Sequence, residues 1–379
     1  MHQERLSATS DESLSDRLTG LHARLQEFAP AVDRVACALY DPADDTLRTF
    51  VSSTTAGEPL VGYRYRLSDS ESLSYLARTR EVRHLVDIPG SIVPSTEHSA
   101  WLLDQGFRSS VTVPLFDHDR LLGFAFFDSR RADAFPPQVQ RELVLFGTLV
   151  GLEVVNELAA VRTVIGTVQM ARDFTLLRDF ETGEQLVRMS RLARLIGERL
   201  IHPLGLTDLF VEHVHLYAPL HDIGKIGIPD RILLKPGPLD EQEWEVMRTH
   251  TTKGRDMAET IMADVGFPSL PEPQVMLNIV ELHHEKLDGS GYPHGLVGEQ
   301  IPLESRIVAV ADIFDALMSR RPYKGPWEPT AAVAELRSMA RQGLLDPRCV
   351  SVLADGLDEA LAVYAEVPDA YDEGEPHRT

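Results

Sequence analysis

The second half of this chain repeats one pattern, in which an apolar residue stands at every third or fourth position. The pattern recurs in six segments after Phe180: LVRMSRLARLIGERL, VEHVHLYAPLHDIG, EQEWEVMRTHTTKGRDMAETI, VMLNIVELHHEK, SRIVAVADIFDALMS and TAAVAELRSMARQ. Apolar residues with this spacing line one face of an α-helix. Successive helices of this kind predict an all-α helical bundle, which we place at residues 173–366.

The first half follows a different pattern, in which helix-like and strand-like segments alternate. An amphipathic helix is expected near residues 21–28, and an apolar helix, QRELVLFGTLVGLEVV, follows Pro136 and Pro137. Between them lie two hairpin-like segments, RVACALYDPADDTLRTFVSS and SSVTVPLFDHDRLLGFAFFDS, in which β-branched and aromatic residues flank an Asp-rich turn. This order predicts an α+β sensor module over residues 19–153.

The segment between the two domains, residues 154–172, carries a short heptad pattern. Apolar residues recur there at steps of four and three, at Val154, Leu158, Val161, Ile165 and Val168. One interpretation is a signalling helix that forms a homodimer, together with the sensor module. The other is an amphipathic helix that packs on its own domain, and fewer than three heptads do not decide between them.

Composition and length limit the possible partners. The 379 residues suffice for two domains, and a net charge of -21 argues against binding to nucleic acid polymers, which requires clustered cations. The longest apolar run, residues 143–152, is shorter than the roughly twenty residues that span a bilayer. With only Cys37 and Cys349, no disulfide framework is indicated. We therefore expect a cytoplasmic protein without membrane insertion, disordered at residues 1–18 and in the acidic tail 367–379.

Side chains that bind divalent metals are concentrated in three motifs. These are LHDIGKIGIPD at 220–230, ELHHEKLDGSGYP at 281–293 and VADIFDALMSRRPYK at 310–324. Imidazole and carboxylate together suit iron, manganese or zinc, and no cluster of Cys is present. Gly289 and Gly291 allow a sharp turn beside the paired His. The motifs indicate a metal-dependent hydrolase.

The order of these motifs resembles the HD-GYP family, bacterial phosphodiesterases that hydrolyse cyclic-di-GMP. The name-giving elements stand here as His221-Asp222 and Gly291-Tyr292-Pro293, and the similarity covers roughly residues 173–365. The resemblance implies hydrolysis of cyclic-di-GMP to linear pGpG, with GMP left open as a further product. It also implies two or three divalent metal ions, with iron or manganese favoured. The implied metal ligands are Glu181, Gln185, His221, Asp222, His250, His283, His284 and Asp312.

The resemblance also implies catalytic and substrate-binding residues. Asp222 would bridge two metals, and Lys225 would bind a phosphate oxygen or assist the leaving group, unless it is simply a solvated side chain. The implied substrate-binding residues are Asp315, Arg321, Lys324, Gly291, Tyr292 and Pro293. An alternative for Arg321 and Lys324 is that they complement the C-terminus of the preceding helix.

One position departs from the pattern of the family. Where members usually have a Glu and a His four residues apart, this chain has Glu181 and Gln185. An amide oxygen is a weaker ligand than imidazole for these metals, and neither His213 nor His215 has the spacing of a substitute. The alternative function is therefore a weak or inactive receptor that binds a cyclic dinucleotide or a signalling protein.

The first half resembles a GAF domain. The resemblance rests on Val113-Pro114-Leu115, Leu122-Gly123-Phe124 and Asp128, and the polar motif of cyclic-nucleotide-binding members is absent. No ligand is therefore implied, although the domain would regulate the hydrolase. Four single residues of this segment could contact a ligand or a haem: Cys37, His84, His98 and Trp101. We expect them to be core or surface residues instead, because none has a second ligand at a spacing typical of metal sites.

Overall fold

The computed structural model describes residues 13–55, 57–92, 97–174, 183–264, 272–319 and 325–368. Its contacts divide the chain into two compact units. The first unit extends to Ala159 and includes Thr207–Leu209, and the second contains Ala160–Leu206 and the residues from Phe210 onward. Among the described helices, none combines the length and the apolar character needed to cross a membrane.

The first unit is built on an antiparallel sheet with strand order β3-β2-β1-β6-β5-β4. The strands are β1 Arg34–Asp41, β2 Thr46–Thr54, β3 Arg64–Arg66, β4 Arg83–Leu85, β5 Ser109–Asp117 and β6 Arg120–Ser129. The helices are α1 Leu14–Phe28, α2 Glu71–Thr79, α3 Ile88–Ser91, α4 Glu97–Asp104 and, as far as Ala159, α5 Pro137–Phe174. Both predicted hairpins, the flanking helices and the α+β class are confirmed.

Helix α1 begins earlier than the sequence pattern indicated. Ser13 is its N-cap and forms a capping box with Asp16, so the unpaired amides of the first turn are satisfied by side chains. Leu14 and Leu18 are both buried. The expectation of disorder over residues 1–18 is therefore wrong from Leu14 onward, and residues 1–12 and 369–379 lie outside the described part of the chain.

The central hairpins depend on backbone conformations that few residue types adopt readily. His118 has a φ of 53° in the two-residue turn between β5 and β6. Gly123 has a φ of 149°, and a Cβ at this position would lie 1.9 Å from the carbonyl oxygen of Ala38 on β1. Only glycine allows β6 to pair this closely with β1.

Three of the five heptad residues on α5 face the protein interior. Val154, Leu158 and Val161 are 0%, 4% and 0% exposed. Packing within the chain is thus confirmed for these three residues, and the proposed homodimer seam is wrong for them. Among the described side chains of α5, the large apolar residues that are exposed include Leu145, Leu149 and Leu152. The pattern identified an amphipathic helix but not the surface that covers its apolar side.

The second unit is the predicted helical bundle. Its helices are α6 Gly183–Leu204, α7 Asp208–Tyr217, α8 Asp230–Leu233, α9 Glu241–Arg248, α10 His250–Asp264, α11 Pro273–Leu282, α12 Leu303–Met318, α13 Pro329–Arg341, α14 Pro347–Asp355 and α15 Leu357–Glu366. Its core includes fully buried residues of three helices, among them Ile196 on α6, Met276 on α11 and Phe314 on α12. The all-α prediction for this region is confirmed.

A buried ion pair joins α6, α12 and α15. Arg188 is fully buried, and its Nε donates to Asp315 Oδ1 at 3.0 Å while its Nη2 donates to Ser319 Oγ at 2.8 Å. Ser319 Oγ and the Tyr364 hydroxyl also donate to the Asp315 carboxylate, each at 3.0 Å. Burial raises the pKa of Asp315, although Arg188 opposes that shift. Asp315 therefore holds helices together, which corrects its assignment to substrate binding.

We predict that Asp315→Ala lowers the free energy of unfolding of the second unit by about 3–5 kcal/mol, because the Arg188 charge stays buried without its carboxylate. Urea unfolding followed by circular dichroism measures this change. As a control, the double variant Arg188→Met/Asp315→Leu removes both charges and should recover most of the loss. Unchanged stability of Asp315→Ala would contradict the structural role.

Candidate metal centre

The His-Asp motif lies on a short segment that packs directly against α10. His221 and Asp222 stand between two 3-10 turns, Ala218–Leu220 and Ile223–Gly227. A Cβ on Gly224 would lie 1.8 Å from the His250 carbonyl oxygen and 2.5 Å from the Gly254 amide nitrogen. Glycine at this position therefore brings Asp222 close to the start of α10, where His250 is the first residue.

The paired His close the other side of the centre. His283 caps the C-terminus of α11, and His284 follows it. One ligand atom from each of Asp222, His250, His283 and His284 lies within 4.8 Å of the others. Three distant segments of the chain thus bring a carboxylate and three imidazoles to one point.

Hydrogen bonds to backbone carbonyls define which ring nitrogen of three His faces the centre. Nδ1 of His221 bonds to the Ala218 oxygen at 3.0 Å, that of His250 to the Met247 oxygen at 2.8 Å, and that of His283 to the Ile279 oxygen at 3.0 Å. A carbonyl only accepts, so Nδ1 carries the proton in each ring. In the neutral ring Nε2 then carries a lone pair, and this is the form that binds metals.

The surrounding charges keep these groups in their metal-binding forms. Burial by itself would raise the pKa of Asp222, but Lys225 and His221 hold that pKa well below its usual range. Burial lowers the pKa of His283, and burial with the adjacent His283 lowers the pKa of His284 further. Near neutral pH Asp222 is therefore a carboxylate, and His283 and His284 are neutral imidazoles.

The donor set fits a divalent cation. Nε2 of His250 and Nε2 of His283 lie 3.2 Å and 3.7 Å from Asp222 Oδ1, yet these three buried atoms make no hydrogen bond to a described protein group. Lone pairs that face one another in a buried space repel, and a cation among them removes that repulsion. His221 Nε2 lies 3.2 Å from Asp222 Oδ2 and 4.0 Å from Asp312 Oδ1. His221 and Asp312 therefore lie beside the same centre.

Lys225 lies in the 3-10 turn that follows Asp222. The period of three residues in such a turn places Lys225 above Asp222. Lys225 Nζ lies 2.6 Å from Asp222 Oδ2, and its side chain is 21% exposed. The ammonium group therefore stands between the buried carboxylate and solvent.

The Gly-Tyr-Pro loop packs on the paired His. The Tyr292 ring lies 4.8 Å from the His284 ring, and the Arg248 guanidinium stands 5.5 Å from the centroid of the same tyrosine ring. A Cβ on Gly291 would approach the Lys286 amide nitrogen to 2.3 Å, so glycine is required there. Burial raises the pKa of Tyr292, with Asp222 and Asp312 adding to the shift, so the phenol stays protonated.

Glu285 holds this loop and was missed by the sequence reasoning. It is 4% exposed, and its carboxylate accepts from the amides of His294, Gly295 and Leu296 at 2.7, 3.1 and 3.0 Å. A Glu directly after paired His was the available signal, because a buried carboxylate needs several donors. Arg248, which contacts Tyr292, had no sequence signal, because it comes from a separate helix.

Several predicted site residues are not brought to the centre, or are not described. Asp315 belongs to the interior ion pair with Arg188. Gln185 lies in the first turn of α6 and is half-buried. Glu181, Arg321 and Lys324 lie outside the described residues, and Pro293 follows Tyr292 through a cis peptide bond. His215 Nδ1 bonds to the Ser190 oxygen at 3.0 Å, and the His213 ring lies 5.9 Å from the Tyr217 ring at an interplanar angle of 31°.

Two family models match the two units. Residues 16–154 match the GAF domain, and residues 177–349 match the HD domain. The first match covers the unit with the antiparallel sheet, called the GAF domain below, and the second covers the unit with the candidate metal centre, called the HD domain below.

Relatives resemble the HD domain region. The cyclic di-GMP phosphodiesterase response regulator RpfG of Xanthomonas campestris is 49% identical over 179 residues, which cover 47% of this chain and 44% of that protein. A cyclic di-GMP phosphodiesterase of Thermotoga maritima is 43% identical over 51% of this chain and 49% of that protein. The 3'3'-cGAMP-specific phosphodiesterase 2 of Vibrio cholerae is 41% identical over 51% and 34%. The chain thus spans less than half the length of each of these relatives.

We predict that Asp222→Ala and His284→Ala each reduce manganese affinity by at least about 10–100-fold, because loss of a ligand should cost more than loss of a supporting residue. Metal content after dialysis, measured by mass spectrometry, tests this expectation. His294→Gln is the control, because His294 is half exposed and bonds to Glu281 outside the centre. Unchanged metal content in both ligand variants would contradict the assignment.

Proposed function

We propose that the HD domain hydrolyses a phosphodiester bond of a cyclic dinucleotide, with cyclic-di-GMP as the preferred substrate. The observation that carries the proposal is the set of buried acceptor atoms of Asp222, His250 and His283 that converge without hydrogen bonds. The named relatives are phosphodiesterases of cyclic di-GMP and 3'3'-cGAMP, and this supports the substrate class.

The residues that would hold divalent cations are Asp222, His250, His283 and His284, with His221 and Asp312 beside them. Cations bound there would supply Lewis-acid activation of the phosphate and of a water molecule. Iron and manganese suit this mixture of imidazole and carboxylate, and we propose two or three ions. Glu181 and Gln185 stay proposed further ligands on the resemblance of their motif alone.

Around this centre, protein side chains have separate roles in the proposed reaction. The Lys225 ammonium is accessible beside Asp222 and would bind a non-bridging phosphate oxygen or donate a proton to the leaving oxygen. The Tyr292 ring, packed on His284, would form an aromatic wall for the nucleotide. The chain has a net charge of -21, which repels an anionic substrate. Bound metal ions and Lys225 would have to reverse this repulsion within the site.

The GAF domain would regulate this hydrolysis. The domain order supports the proposal, because a sensor module precedes the HD domain and the single helix α5 extends from Pro137 to Phe174. A second copy of the chain is the proposed partner. The exposed residues Leu145, Leu149 and Leu152 are better candidates for its contact than the buried heptad residues.

Turnover of cyclic-di-GMP by manganese- or iron-loaded protein tests the proposal. We expect linear pGpG as the product, detected by chromatography. We also expect Gln185→His to have a higher metal occupancy or a higher hydrolysis rate than the wild type, because imidazole is the better ligand. Nucleotide binding without product over hours would favour the receptor alternative. Equal or lower values for Gln185→His would show that the centre accommodates the amide. Running 3'3'-cGAMP in parallel determines which dinucleotide is preferred.

We further predict that Glu285→Gln raises KM or lowers kcat for cyclic-di-GMP by about tenfold without loss of metal. The amide replaces one acceptor oxygen with a donor that faces backbone N–H groups, so the Gly-Tyr-Pro loop loses a charge-assisted hydrogen bond. Steady-state kinetics and metal analysis on the same sample measure both effects. Glu299→Gln, at an exposed position of the following turn, is the control. Wild-type kinetics for Glu285→Gln would contradict the positioning role.

A further inference from the structure

Glu281, in the last turn of α11, joins the Gly-Tyr-Pro loop to α10. Its side chain is 12% exposed. Its Oε2 accepts from Arg255 Nη1 at 2.6 Å, and its Oε1 accepts from His294 Nε2 at 2.9 Å, since a carboxylate only accepts. Arg255 belongs to α10, whose first residue is His250, and His294 follows Tyr292 by two positions. One carboxylate therefore connects three segments that reach the candidate metal centre.

The stability of α11 does not account for a carboxylate at this position. The C-terminal end of a helix carries a partial negative charge, so an acidic side chain in the last turn is unfavourable. Burial of Glu281 adds a desolvation cost, which contacts with Arg255 and His294 offset. Both partners come from other segments of the chain. This arrangement favours a role of Glu281 in holding those segments together.

His294 is held at two points, and the two contacts have different consequences. Glu285 accepts from the backbone amide of His294 at 2.7 Å, whereas Glu281 accepts from its ring. Glu285 thus attaches the loop to the end of α11, from which the loop itself continues. Glu281 adds a link to α10, because the same carboxylate also binds Arg255. The position of the loop relative to α10 therefore depends on Glu281.

We propose that Glu281 is a positioning residue that fixes Tyr292 beside the metal centre for nucleotide binding. The Tyr292 ring lies 6.2 Å from the ring of His250 on α10 and 4.8 Å from the ring of His284 after α11. Glu281 links these two helices to the loop, so its loss lets the tyrosine ring move relative to both. The inference rests on the proposed hydrolysis, in which Tyr292 forms an aromatic wall for the nucleotide.

Glu281→Met tests this role, because it removes both acceptor oxygens at a similar side-chain length. The side chains of Arg255 and His294 are 29% and 50% exposed, so both bind water in the variant and the fold persists. We expect KM for cyclic-di-GMP to rise about fivefold or more, while kcat and manganese content stay at wild-type values. Hydrogen exchange of the loop amides between residues 291 and 297 should become faster.

Two variants of His294 test whether Glu281 acts through this ring. His294→Ala should raise KM, and the double variant Glu281→Met/His294→Ala should have no higher KM than the more affected single variant. His294→Gln is the conservative rescue, because the Gln amide donates to Glu281 from about the place of Nε2. Its KM and its loop exchange should be close to those of the wild type.

Glu259→Gln is the matched control on the other side of Arg255. Glu259 accepts from Arg255 Nε at 3.0 Å, and its side chain is 48% exposed. This variant removes a carboxylate from the same arginine without changing the contact of Glu281 with the loop. KM, loop exchange and manganese content should therefore keep their wild-type values.

Hydrogen exchange separates this inference from the proposed hydrolysis, because it requires no substrate. A wild type without turnover of cyclic-di-GMP contradicts the hydrolysis, and the loop exchange then decides whether Glu281 holds the loop. Wild-type exchange in Glu281→Met would overturn the inference even in an active enzyme. Multiplied effects on KM in the double variant, or a lower melting temperature of Glu281→Met with unchanged KM, would also overturn it.

Discussion

The metal centre depends on an arrangement in which buried acceptor atoms face one another. Backbone carbonyls accept hydrogen bonds from Nδ1 of His221, His250 and His283, so Nε2 of each ring faces Asp222. Such an arrangement is unfavourable by itself, because Asp222 Oδ1 and Nε2 of His250 and His283 are buried without a hydrogen bond to a described group. A divalent cation bound there would reverse the balance and would contribute to the stability of the fold as well as to its chemistry.

The backbone around the centre shows how that arrangement is maintained. Gly224 allows the His-Asp segment to contact α10, and Gly291 allows the Tyr292 loop to fold back on the paired His. Glu285 then holds the loop through three backbone amides. Small residues therefore set the distances between segments, while one buried carboxylate fixes the loop. These supporting positions explain why the motifs contain glycine as well as metal ligands.

The sequence predicted the two fold classes because the second half repeats the helical period in six segments, whereas the first half alternates helix-like and strand-like segments. It also singled out side chains that the structure brings together, Asp222, His250, His283 and His284, because several motifs in one order carry a signal that a lone His-Asp pair does not. It did not predict the contacts of Asp315. A spacing of three residues places Asp315 near Asp312 on α12, but it does not show that Asp315 pairs with Arg188 while Asp312 lies beside His221. Burial of Val154 and Leu158 likewise depends on surfaces that a heptad pattern does not contain.

The position of bound manganese is the measurement that tests this account most directly. Crystals of the full chain grown with manganese should show an anomalous scattering peak bonded to Asp222 Oδ1 and to Nε2 of His250 and His283, at the distances typical of metal coordination. Nδ1 of each ring should keep its hydrogen bond to the backbone carbonyl. A peak elsewhere, or rings turned so that Nδ1 faces the ion, would contradict the proposed centre.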